Sequence, residues 1–484
     1  MRSDCALGAM VTCALLAACV SPAERDAPAA RTIEPSSLES QRTIGASPAG
    51  EWPGTRWWTV FGDAQLDGLV EEALAGSPTL RVARARVAQA GALVDAALAN
   101  ASPGAIGGLD ITRQHFSQSG TVPPPVAGTT RTTARLAVDL SYEFDYAGRN
   151  AAAIAAARAG ESAAGADAEA ARIALSSAVA RAYFQLQSLF ALRTIAEREL
   201  AQAEKRVELT RQRFGAGLDT EAAVSRAQSV PPDLRANSAQ LDAAIALARN
   251  QIAALAAKGP DRGLSIAPVA ALGVAPGETY RALPSLPGTL PLDLLGRRPD
   301  LAAARVRAEA ASRDIEVARL RFLPNVNLLA FVGVAALGLD RLFAAGSEIA
   351  GVGPAIRLPV FSAGNLQASL RGRQADYDLA VERYNELIID AVREVADQVQ
   401  TRRALETERS ERGRALAATD RTHRIALDRY RAGLANYLDV LDAEAPLFGL
   451  QRAETDLRAR ALQAEVSLYR ALGGGYEDGG THPR

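Results

Sequence analysis

The chain has 484 residues, with 54 basic and 55 acidic side chains, and 48% of its residues are hydrophobic. That length supports several packed layers, and the balanced charge argues against a nucleic-acid partner, which would call for a basic face. Cysteines at 5, 13 and 19 and isolated His115, His423 and His482 supply neither a disulfide framework nor a metal-ligand spacing. Without a nucleophile elbow, P-loop or dinucleotide fingerprint, neither an enzyme nor a cofactor is expected.

Met1 to Ala18 reads as an export signal: Arg2 supplies the positive end, and residues 6–18 are apolar or small and too short to span a membrane. The stretch ends Leu16-Ala17-Ala18-Cys19, which resembles a bacterial lipobox and implies lipidation at Cys19. Val20 follows where an aspartate would favour inner-membrane retention, so the outer membrane is expected. Residues 19–56, rich in Pro, Ala and Ser, read as a lipidated cysteine and extended tether.

Trp57-Trp58-Thr59-Val60-Phe61-Gly62-Asp63 opens the ordered part. A helix is expected over about 64–99, broken near Ser77-Pro78 and ended by Pro103 and glycines 104, 107 and 108. The period then changes. From Arg135 to Phe144, Leu136, Val138, Leu140, Tyr142 and Phe144 take one side, and Arg135, Asp139, Ser141 and Glu143 the other. Such alternation fits an outer-membrane barrel strand or a half-buried soluble one. Residues 109–117 read as its partner, and Asn325–Gly333 and Val352–Phe361 as a second pair, the last weakened by Pro354 and Pro359. Four strands have open edges that lipid cannot satisfy, so membrane strands here would require several chains to share a barrel. A dimer with eight strands and a trimer with twelve both remain open.

Each strand pair leads into a proline-free helical run, 148–214 and about 365–431, each reaching about 100 Å if fully helical. Return helices are expected over about 220–257 and 437–472, and Leu301–Phe322 pairs with the helix at 80–99. Pro231-Pro232 and Pro446 predict a kink or loop soon after each reversal.

The reversal itself occurs twice. Arg213-Phe214-Gly215-Ala216-Gly217-Leu218 matches Arg429-Tyr430-Arg431-Ala432-Gly433-Leu434 at an offset of 216, and Pro78-Thr79-Leu80 matches Pro299-Asp300-Leu301 at 221. The chain therefore reads as an internal duplication: a first repeat over 57–272, a second over 273–473, and a tail over 474–484. At the second tip Asp439 and Asp442, three apart, share a helix face. A solvated hairpin with ordinary surface acids fits that local stretch as well.

Together, the lipobox, Trp57-Trp58…Phe61-Gly62-Asp63, Glu143-Phe144-Asp145-Tyr146-Ala147-Gly148-Arg149, Arg298-Pro299-Asp300-Leu301 and the tip around Gly433 resemble the TolC/OprM-like outer membrane factors. The likeness is to the lipoprotein (NodT-like) branch associated with resistance–nodulation–division pumps, and it covers about residues 57–473. It implies a mainly α fold with a membrane β-barrel: a homotrimer whose long antiparallel helices form an α-barrel tunnel, with four strands per chain in a shared twelve-stranded barrel. A periplasmic adaptor (membrane fusion) protein, an inner-membrane RND-type pump and outer membrane lipid are the implied partners, and export of small toxic solutes or drugs the implied function.

The resemblance also implies roles at the tips. Leu438 matches a hydrophobic gate position, Asp439 and Asp442 match carboxylate rings that would attract cations, and Tyr430 matches an aromatic that holds the closed state. Gly217, Leu218, Gly433 and Leu434 match adaptor-contacting positions, and opening would be iris-like. The chain departs from the family's inter-helix tethers at Ala223 and Ala435. Type I protein secretion or metal-ion efflux through the same duct, and a non-channel periplasmic coiled-coil lipoprotein, are the alternatives.

Overall fold

The computed structural model describes residues 28–34, 37–39, 41–44, 52–269, 296–359 and 363–477. The signal segment and Cys19 lie outside them, as do Val360 and Phe361 and the tail from residue 478 onward. After a 3-10 turn at Trp57–Phe61 come helices α1 (Ala64–Gly76) and α2 (Pro78–Asn100), strands β1 (Gly104–His115) and β2 (Thr130–Glu143), and helices α3 (Arg149–Gly215) and α4 (Glu221–Leu255). The second half repeats the order with α5 (Pro299–Leu320), β3 (Asn325–Leu337), β4 (Glu348–Arg357), α6 (Ala363–Arg431) and α7 (Tyr437–Ala471). Helix α7 is α4 displaced by 216 at both ends, and α5 begins 221 after α2. Among the described residues no helix is long and apolar enough to cross a membrane.

The chain divides into two compact units, each drawing matching pieces from both halves. One contains the sheet, ordered β1-β2-β3-β4 and antiparallel throughout. Register sets Leu136 beside Leu109 and Val334, Val138 beside Val332, and Leu140 beside Ala330, which faces Val352. Because strand side chains alternate, these form one exposed apolar face with Ile356. The opposite face carries Asp110, Arg135, Asp139, Ser141 and Glu143, but also Phe331 and Ile106, which its polar character did not foretell. There Arg135 pairs with Asp139 through its two terminal guanidinium nitrogens, at 2.9 and 2.5 Å, and lies over the Phe331 ring at 5.7 Å.

Two strand boundaries correct the expectation. Gly104, Gly107 and Gly108 do not terminate a helix; they sit inside β1, opposite Ser141, Val138 and Ala137. The ladder supplied by β2 overrides their weak intrinsic strand preference. Strand β4 runs 348–357 rather than 352–361. Its partner β3 starts at Asn325, just after Pro324, so pairing runs out at Asn325–Arg357, and Pro359 has no N–H with which to extend it.

The elbow from β2 into α3 explains the Glu143–Arg149 motif. Glu143 pairs with Arg149 at 2.5 Å and accepts from Asn325 at 3.0 Å. Asp145 accepts from the backbone N–H groups of Asn150 and Ala151, and the Tyr146 hydroxyl donates to the Pro324 carbonyl at 2.6 Å. Gly148, at φ 83°, supplies the left-handed step that side chains resist. The strand thus enters the long helix through a turn pinned by these bonds, although the Asn150 side-chain nitrogen and the Asn325 side-chain oxygen are buried there without a partner among the described residues.

The other unit has the main core. Trp57 stacks on Tyr469, Phe61 packs edge-on to Phe184, and both join Leu66, Leu69, Val70 and Leu186. Asp63 caps α1 and accepts from the buried Tyr183 hydroxyl at 2.5 Å. Ile44, in the stretch read as an extended tether, is buried with Val395, Val399 and Leu468, and its helical turn Gln41–Ile44 is held by Gln400 and Arg403. That part of the tether is docked, because an aliphatic side chain there gains more from burial than from water.

Arg298-Pro299-Asp300-Leu301 forms the tie at the start of α5. Arg298 is 7% exposed and binds Asp300 (2.6 Å), Glu394 (2.9 Å) and the Ala471 carbonyl. Burial pulls its guanidinium pKa down, but the two carboxylates raise it above the ordinary value. Asp300 is likewise raised by burial yet held below the ordinary carboxylate value by Arg298 and backbone N–H groups. The side walls of this tie bound a cavity of about 240 Å³.

Candidate functional site

The two tips close with the same geometry. In the first, the Leu218 N–H reaches back to the Arg213 carbonyl at 2.8 Å and the Gly217 N–H to Phe214 at 2.9 Å. In the second, Leu434 bonds Arg429 at 2.8 Å and Gly433 bonds Tyr430 at 2.9 Å. This is the Schellman pattern, which requires a left-handed residue past the helix end. Gly217 (φ 71°) and Gly433 (φ 73°) fill that role. The following leucine usually folds back on the helix; here Leu218 is 67% and Leu434 71% exposed.

The return helices start differently. Thr220 caps α4 by accepting from the Ala223 N–H at 3.2 Å, and Arg213 pairs with Asp219 across the first tip at 3.3 Å. Residue 435, which corresponds to Asp219, is alanine, so the second tip has no such bridge. It has a capping box instead. The Asp439 N–H donates to the Asn436 side chain at 3.2 Å, and the Asn436 N–H donates to the Asp439 carboxylate at 3.0 Å. Asp439 therefore holds the helix start as well as exposing charge. Tyr430 packs edge-on against Tyr437 at 5.1 Å, which pins the end of α6 to the start of α7.

Leu438 is half-buried, whereas Val440, Leu441, Leu447 and Phe448 form the buried side of α7. Asp442 is exposed and pairs with Arg206 of α3 at 2.6 Å. The sequence reading did not name Arg206, Gln202, Asn436 or Asp219. Only Asn436, three before Asp439, carried a local signal, that of a cap; Arg206 is 236 positions from Asp442.

The expected break at the prolines needs correction as far as a loop is concerned. Helix α4 runs unbroken through Pro231 and Pro232, and α7 through Pro446, so no loop opens at either place. The missing N–H groups weaken each turn, but Pro231 is itself buried in line with Ala227 and Leu234, and Pro446 precedes the buried Leu447 and Phe448. Packing of these faces holds the helical path. Among the described residues, no group of three or more His, Cys, Asp or Glu side chains could hold a metal ion.

The family model for outer membrane efflux proteins matches the chain twice, over residues 69–258 and 290–474. The chain belongs to the outer membrane efflux protein family. The double match agrees with the duplicated order of elements. The fusaric acid resistance protein FusA of Burkholderia cepacia is 36% identical over 380 residues, covering 77% of this chain and 70% of FusA. The multidrug resistance outer membrane protein MdtP of Escherichia coli K12 is 29% identical over 467 residues, covering 94% and 93%. Among solved structures, the outer membrane protein VceC of Vibrio cholerae superposes with a TM-score of 0.78 at 36% identity, over 88% of this chain and all of that one. This efflux protein is thus an outer membrane channel protein rather than an enzyme, as the motif resemblance implied.

Proposed function

We propose that this efflux protein is the outer membrane duct of a tripartite pump. Three copies close their sheets into one twelve-stranded barrel, and their long helices line a periplasmic tunnel. The observation that carries the reading is the four-stranded sheet, whose exposed apolar face has no covering layer among the described residues and whose β1 and β4 edges are unpaired. In water both features are liabilities; in a closed oligomeric barrel both are satisfied.

In this reading Cys19 carries the lipid anchor, and the units of duplication are 57–272 and 273–473. Leu218 and Leu434, held outward on Gly217 and Gly433, offer the apolar contacts for a periplasmic adaptor that links the duct to an inner-membrane RND-type pump. The tips shut the tunnel around Leu438, Asp439, Asp442 and Tyr430, and open by an iris-like movement. The cargo is a class of small toxic amphiphiles, a proposal supported by the resistance roles in the names of FusA and MdtP.

Single-channel recording of the purified mature protein in a planar bilayer tests this. Small cation-selective currents are expected, weakened in selectivity by Asp439→Ala with Asp442→Ala and enlarged by Leu438→Gly. A correctly folded oligomer that stays silent even as Leu438→Gly would overturn it.

A further inference from the structure

Asp442 is not a free carboxylate. The Arg206 guanidinium of α3 holds it at 2.6 Å. One turn earlier on α3, the Gln202 side-chain amide donates to the Leu441 carbonyl at 2.7 Å. The seam continues away from the tip with Glu199 on Arg452, Arg198 on Gln451 and over the Phe448 ring, and Gln185 on Gln463. Arg206 is the ion pair of this seam nearest the tip. Behind it stands Pro446, whose missing N–H leaves the Asp442 carbonyl without its helical donor. The first two turns of α7 are therefore a short segment, tied at its charge to α3 and followed by a weakened turn.

The duplication does not account for the pair. At the offset of 216, Asp442 corresponds to Arg226 and Arg206 to Thr422. Among the described residues the Arg226 guanidinium makes an in-helix bond to the Ala222 carbonyl at 3.4 Å and no ion pair. The ion pair belongs to the second tip alone, although the two tips close with the same backbone geometry.

We propose that Arg206 sets the charge and the closure of the second tip: its guanidinium neutralises Asp442 and fastens the start of α7 to α3. This rests on the duct reading above. Its consequence is that the negative charge at the constriction is less than the two aspartates suggest, and rises when the pair parts. Asp442 is largely exposed and the pair well hydrated, so it is a weak fastening, suited to a part that must release.

The test is Arg206→Gln in the mature channel, recorded in a planar bilayer under a salt gradient beside Asp442→Asn and the exchanged pair Arg206→Asp with Asp442→Arg. Arg206→Gln should raise the potassium-over-chloride permeability ratio and raise the open probability by about two- to fivefold, the range a hydrated ion pair supports. Asp442→Asn should lower the ratio below wild type, because it leaves Arg206 unopposed. The exchanged pair should return the open probability towards wild type. If Arg206→Gln leaves both quantities unchanged in a channel that Leu438→Gly still enlarges, the proposal is overturned and the duct survives.

A second readout does not need conduction. Amide hydrogen exchange over residues 437–445 should quicken in Arg206→Gln while that over 221–229 stays at the wild-type rate. Unchanged exchange in 437–445 overturns the proposal; silence of both the wild type and Leu438→Gly counts against the duct, and the exchange result still decides the role of Arg206.

Discussion

Glu465 offers a sharp test of how the helical unit is packed. It lies in α7, mostly buried, faced by Arg402, Glu406 and Arg409. Arg402 is already paired with Glu406 at 3.1 Å, which limits what it can offer a second carboxylate. Burial, with Glu406 adding to it and the two arginines opposing, pushes the Glu465 carboxyl from 4.5 up to about 7. Between those values the folded chain keeps a proton that the unfolded chain releases. Stability is therefore fully present below pH 4.5, falls as pH rises towards 7, and is flat beyond. The drop across that window is about 3 kcal/mol. Gln resembles the protonated form, so Glu465→Gln should melt with the wild type at pH 4.5 and clearly above it at pH 8. Scanning calorimetry or fluorimetry of the detergent-solubilised protein, with both forms in the same oligomeric state, measures this. A gap of equal size at the two pH values, or a variant that melts lower at pH 8, would refute the reasoning.

Three further outcomes are expected. Arg298→Ala strands the carboxylates of Asp300 and Glu394 beside the core and should destabilise the chain by about 3–5 kcal/mol, read as a lower melting temperature; Arg298→Lys should recover only part, since an ammonium cannot reproduce the two-pronged contact with Asp300. Gly433→Ala forces a Cβ into a left-handed backbone and should destabilise by about 1–2 kcal/mol, visible as faster amide exchange around residues 428–436 and not around 212–220. Val332→Arg, on the apolar face of β3, should reduce assembly in outer membrane fractions, with about 2–4 kcal/mol expected for a cation at mid-bilayer; Asn327→Lys, on the polar face, should assemble normally.

Periodicity and backbone chemistry were legible in the sequence; long-range partners were not. The alternation from Arg135 to Phe144 marked β2, and the proline-free runs marked α3 and α6 to within about two residues, since both signals are local. Gly217 and Gly433 announced their turns because few other residues tolerate that backbone. The glycines of β1 and the prolines of α4 and α7 misled for one reason: each is a breaker in isolation, and a paired strand or a buried helix face outweighs it. At the tips, Leu438, Asp439 and Asp442 could be picked out as a group. That Asp439 caps its helix was half-visible in Asn436; that Asp442 meets Arg206 was not visible, because a salt bridge between distant helices leaves no pattern in either.

The open edges of the sheet carry a genetic consequence. Strands β1 and β4 run antiparallel at opposite ends of a four-strand ladder, so a ring closes only when every copy offers two sound edges. One copy with a damaged β1 or β4 does not merely fail; it occupies a place and leaves its neighbours unjoined. In a cell making both forms, the yield of complete rings falls as a power of the sound fraction rather than in proportion to it. Lesions in these two strands should therefore act dominantly over a wild-type allele, while lesions that unfold the helical unit before the chains meet should be recessive.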